Sequence, residues 1–76
     1  PEQAFPLLLE GTQHPHYIVR YNAADLLGEM HLKKPFTGEQ EQLVWTCLQS
    51  LAKDDHEHVR GVAEWSLEVL EDDQDE

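Results

Sequence analysis

The apolar residues of this chain fall into four runs with helical spacing. The first is Ala4, Phe5, Leu7, Leu8 and Leu9 within Pro1–Glu10, with Pro6 limiting its first turn and Gly11-Thr12 breaking it. The second is Val19, Ala23, Leu26, Leu27 and Met30. Pro15 suits its start, Lys33-Lys34 place positive charge at its C-terminus, and Pro35 stops it. The third is Leu43, Val44, Cys47, Leu48, Leu51 and Ala52, spaced at three and four residues. It is opened by Thr37-Gly38-Glu39-Gln40, which has the form of a capping box. Ahead of the fourth run Asp54 reads as an N-cap, with Glu57 three residues on completing a second box. That run buries Val59, Ala63, Leu67 and Leu70, flanked by Val62 and Val69.

The second and fourth runs are one pattern repeated. At an offset of 40 residues, His16 falls on His56, Val19-Arg20 on Val59-Arg60, Ala23 on Ala63 and Leu27 on Leu67, while Met30 meets Leu70. The shared apolar positions lie at i, i+4, i+8 and i+11, one stripe of a helix rather than the alternation of a strand. A repeat of this period predicts stacked helical units. The order is helix–turn–helix, linker, helix–turn–helix, and the short turns make the helices of each pair antiparallel neighbours. Ala23 and Ala63 allow close approach to the partner helix.

The first copy, Val19-Arg20, Ala23-Ala24 and Leu27-Gly28, and the second, Asp54-Asp55, Val59-Arg60, Ala63 and Leu67, resemble the inner helix of HEAT repeats. They are most similar to the bacterial, phycobilisome-lyase type. The resemblance implies an all-α, right-handed stack of two HEAT-like helical hairpins, a short α-solenoid. Repeat one would span residues 1–34 and repeat two residues 37–70. Residues 71–76 hold five acids and one glutamine and are expected to form a disordered acidic tail. In such repeats the arginine after valine staples neighbouring units through an acid or carbonyl. The resemblance therefore gives Val19, Arg20, Ala23, Leu27, Val59, Arg60, Ala63 and Leu67 structural roles. Asp25 or the Asp54/Asp55 turn would be the arginine partners.

With 76 residues the chain makes one small domain, and Cys47, its only cysteine, has no disulfide partner within it. A lone cysteine in an apolar stripe fits a reduced, intracellular setting, so a cytoplasmic location is expected. No apolar run reaches the length of a membrane span. The start at Pro1 reads as a processed, trimmed or excised chain. The formal charge of −11 is uneven: residues 1–34 carry four acids against three bases, and residues 35–76 twelve against two. Such a surface repels phosphate backbones, which argues against nucleic acid and suits a basic protein partner.

Candidate chemistry is sparse. His14 and His16 at one turn, and Asp54, Asp55, His56 and His58 at the other, would share an edge of the stack, and His with carboxylate suits zinc or iron. Two histidines at His-x-His spacing on a helix point to different sides, so the expectation is exposed turn histidines and no metal site. HEAT-repeat hydroxylases hold iron with His-Glu pairs directly after Val-Arg. Here Tyr21-Asn22 and Gly61-Val62 stand at those places, so that activity is not expected. The lyases of the resembled type need a groove built from more repeats. Cys47 within an apolar stripe reads as a core residue, not a nucleophile. No catalytic residue and no cofactor is therefore expected.

The functional expectation is a non-enzymatic protein-interaction module. Tyr17, Tyr21 and Trp65, with Glu57, Glu64 and Glu68, would meet a basic partner. Trp65 stands where the first copy has Asp25, so it either covers the stack or anchors a partner, while Trp45 matches Phe5 at the core edge. A small acidic inhibitor of the immunity type is an alternative, as is a fragment of a HEAT-like lyase or a metal-binding protein. Two repeats also leave stack ends that call for a cap, self-association or a longer array.

Overall fold

The computed structural model describes residues 4–74, and among these the chain is all-helical. Helix α1 spans Ala4–Gly11, α2 Tyr17–Lys33, α3 Gly38–Leu51 and α4 Glu57–Gln74. α1 and α2 form one hairpin, α3 and α4 the second. No helix among the described residues is long and apolar enough to cross a membrane.

Local chemistry sets the boundaries. Thr37 opens α3 with the expected box: its hydroxyl accepts from the Gln40 N–H, and the Gln40 side chain accepts from the Thr37 N–H. α2 ends at Lys33, and Lys34 and Pro35 turn the chain towards α3.

The two inter-helix turns are the same structure 40 residues apart. Thr12, Gln13 and His14 donate backbone N–H bonds to Leu8, Glu10 and Gly11; Ala52, Lys53 and Asp54 donate to Leu48, Ser50 and Leu51. The sequence repeat is thus a repeat of backbone geometry.

The core lies between the hairpins, where Leu27, Val44, Leu48, Val59, Ala63 and Leu70 have no exposed surface. α2 and α4 run side by side in the same direction, since Tyr17 meets His56, Ala24 meets Ser66 and Gly28 lies against Ser66 and Trp65. Their close approach rests on small residues. Ala24 is fully buried, and the fully buried Ser66 hydroxyl donates to the Ala24 carbonyl at 2.7 Å. That bond satisfies a polar group inside the seam.

Several expectations need correction. Asp54 does not cap α4 directly. His56 stands immediately before the helix, and its Nδ1 accepts from the His58 N–H, while Asp54 Oδ2 accepts from the His56 N–H one step earlier. α4 also runs past residue 70 to Gln74, and residues 75–76 of the expected disordered tail lie outside the described residues. Helix propagation adds a hydrogen bond for each residue fixed, and Glu71 is a good helix former, so the helix continues from the packed Leu70.

Val19 and Leu26, read as buried, are 37% and 44% exposed, whereas their equivalents Val59 and Ser66 are fully buried. The reason is positional. Val59 and Ser66 face the preceding hairpin, and nothing described stands in front of the first one. Leu43 is exposed on the outer surface of α3, and Leu67 is only half-buried.

Gly28 makes the seam possible, because a Cβ there would lie 2.6 Å from Ser66 Oγ and 2.7 Å from Trp65 Cζ3. Gly28→Ala is expected to destabilise the fold by about 1–3 kcal/mol through overpacking. Gly61→Ala meets no atom within 4 Å and should stabilise by roughly 0.5–1 kcal/mol through helix propensity. Urea denaturation of the two variants checks both signs.

Candidate protein-interaction surface

Arg20 positions the edge where the two turns meet. Its Nε and Nη2 donate to Asp54 Oδ1 and Oδ2 at 2.9 and 3.0 Å, a forked pair across the repeats. Its Nη1 donates to the carbonyls of His14 and Pro15 at 2.9 and 2.8 Å, which fixes its own turn. One guanidinium therefore ties the first turn to the second. Asp54, rather than Asp25, is the carboxylate that receives it.

Arg60 repeats half of this arrangement. Its Nη1 donates to the Asp54 and Asp55 carbonyls at 2.7 and 3.1 Å, as Arg20 does at its own turn. Among the described residues no carboxylate forms a fork with its other edge.

Both partners of the Arg20–Asp54 pair are largely shielded from solvent. The forked bond from Arg20, aided by the His56 N–H, holds the Asp54 carboxyl below its ordinary value of 3.8 against an opposing effect of burial.

The histidines line the same edge in defined roles. His16 Nδ1 accepts from the Ile18 N–H, His56 Nδ1 from the His58 N–H, and His14 Nδ1 from the His16 N–H. A neutral ring accepting at Nδ1 carries its hydrogen on Nε2, so it has no free lone pair for a metal while it caps. Among the described residues no three His, Cys, Asp or Glu side chains are grouped to hold a metal ion.

Tyr17 stacks on His56 with ring centroids 3.7 Å apart and planes within 9°, and His16 stacks on Tyr17 at 5.4 Å. Tyr17, Ile18, Tyr21 and His58 line a shallow hollow of about 280 Å³ at the top of the α2–α4 valley. Further down, Trp65 lies over Gly28 while remaining 39% exposed. Of the two roles considered for Trp65, the structure shows it packed against the stack with an open face.

Glu57, Glu64 and Glu68 are exposed on α4, and Glu71 is exposed beyond them. Spacings of 7, 4 and 3 residues put these four on one stripe. Their equivalents on α2 are Tyr17, Ala24, Gly28 and His31, the residues α2 turns towards the second hairpin. The α4 face that would receive a further hairpin is thus a row of carboxylates. The structure places Tyr17 and Tyr21 together, Trp65 below them, and the three chosen glutamates along the next helix.

Two features escaped the sequence reading. Gly28 gave no local signal beyond being a glycine inside a helix. For Ser66 a signal existed but was not used: a hydroxyl within an apolar stripe needs a buried partner.

Because the folded state favours the charged Asp54, its contribution is complete above pH 3.8 and is lost as pH falls through the lowered folded value. Asp54→Asn, which keeps an oxygen for the His56 N–H, should cost about 1–3 kcal/mol at neutral pH. The gap between variant and parent should close on acidification. Denaturation midpoints at neutral and at strongly acidic pH measure both effects.

Comparison with known families gives one finding. A family model described as HEAT repeat matches residues 4–32, which covers α1 and nearly all of α2, and it does not single out the phycobilisome-lyase type. No curated protein and no solved structure matches the chain.

Proposed function

We propose that the folded unit, whose first helical pair matches the HEAT-repeat family model, is a non-enzymatic protein-interaction module for a basic partner. The observation that supports this most is the make-up of α4. Where α2 offers Tyr17, Ala24, Gly28 and His31 to its neighbour, α4 offers Glu57, Glu64, Glu68 and Glu71, all exposed. A further hairpin of the same kind stacked there would have to bury four carboxylates, at several kcal/mol each. A basic surface would instead meet them with charge complementarity.

The valley beside the stripe supplies the anchors. Tyr17, Tyr21 and Trp65 each keep more than a third of their surface open, and partly packed aromatics with an open face concentrate binding energy at interfaces. The partner would lay lysines or arginines along the α4 stripe and an apolar side chain beside Trp65. An inhibitor acting on a basic enzyme surface would use the same face. A cytoplasmic location goes with this reading, resting on the unpaired Cys47.

Affinity capture with the chain, followed by identification of the recovered proteins, tests the proposal. Binding should be lost in Glu64→Lys/Glu68→Lys, weakened at least tenfold (about 1.4 kcal/mol) in Trp65→Ala, and should fall steeply with salt. Partners recovered equally by both variants, or partners with acidic surfaces, would overturn it.

A further inference from the structure

At the opposite end of the molecule, where α2 passes into α3, the surface changes character. Phe5 and Pro6 of α1, Met30 near the end of α2, and Pro35-Phe36 of the linker enclose a groove of about 690 Å³. The Phe5 and Phe36 rings meet at 5.4 Å with planes tilted by 59°, and they brace the apolar wall. This volume falls in the range of small-molecule sites, roughly 300–1,000 Å³.

Lys33 and Lys34 also line the groove. The chain has five Lys and Arg residues against sixteen acids. Arg20 and Arg60 are committed to the turns. Among the described residues no carboxylate lies within salt-bridge distance of Lys33 or Lys34. In a strongly acidic molecule the two ammonium groups thus stand together, unpaired, beside an apolar wall. The other polar groups nearby are occupied: the Phe36 N–H donates to His31 Nδ1, and the Gln40 side chain serves the Thr37 N–H.

We propose that this groove binds a small amphipathic carboxylate. Its hydrocarbon body would lie against Phe5, Met30 and Phe36, and its head would sit between Lys33 and Lys34. The apolar wall alone would accept a neutral chain, and the ammonium pair adds the preference for an anion. The groove is one ligand wide and far smaller than a stable protein interface, which takes about 800 Å² from each partner. The inference does not depend on the proposed partner surface, which uses α4 and the first two turns of α2.

The probe is decanoate, kept below its micelle concentration, with decanol and decyltrimethylammonium as matched neutral and cationic controls. Calorimetry should give saturable decanoate binding that is tighter than either control. Backbone amide shifts in two-dimensional NMR should move at Phe5 and at Met30–Thr37. Lys33→Glu/Lys34→Glu, shown to be folded by circular dichroism, should weaken decanoate by about tenfold and leave decanol unchanged, as expected for the loss of two exposed ion pairs. Met30→Lys should weaken both. Absence of saturable decanoate binding, equal binding of decanol, shifts confined to other helices, or an unchanged affinity in the double lysine variant would each overturn the proposal.

Discussion

The Arg20–Asp54 pair is the constraint on which the rest of the structure depends. Two hairpins of this size share a small apolar core, so a polar contact that fixes their relative position weighs heavily. A guanidinium that binds its own turn with one nitrogen and the next turn with two others defines that position. From this register follow the parallel course of α2 and α4, the fit of Gly28 under Trp65, and the stacking of Tyr17 on His56. The bond is forked and mostly shielded, so a lysine could supply the charge but not the geometry.

That register has a functional consequence. It places the faces of α2 and α4 side by side as successive copies of one pattern, and so exposes how they differ. α2 spends its small and aromatic residues on its neighbour; α4 carries glutamates at the same places. A charged outer face is a poor seat for a further hairpin of the same kind, and under the proposed function it would instead meet a basic partner. The valley between the helices adds aromatic contact area.

Much of the fold was legible because repetition is a long-range signal that survives without knowledge of contacts. The offset of 40, the Thr37 box and the Lys33–Pro35 stop could all be read from residue order, and the resemblance to HEAT repeats implied the stapling arginine. Burial was harder to read. Val19 and Val59 are identical residues at equivalent places, yet one is over a third exposed and the other has no exposed surface, since only the second has a hairpin in front of it. Asp54 was expected as a helix cap and, beside Asp25 and Asp55, as one of the possible arginine partners; that it is the one to receive the clamp depends on where Arg20 lies in space. The aromatic residues of the candidate surface were visible as types. The placement of Trp65 over Gly28 was not, since nothing in the pattern near either residue refers to the other.

The central claim is that the clamp couples the two hairpins, and a double-mutant cycle tests it most directly. Arg20→Ala, Asp54→Ala and the double variant would be unfolded in urea at neutral pH, with α2–α4 proximity followed through the fluorescence of Trp65 in a Trp45→Phe background. The account predicts a coupling energy of about 1–3 kcal/mol, with the double variant little worse than either single one. Additive effects within about 0.5 kcal/mol would mean that the residues act separately. The hairpins would then be held by apolar packing alone.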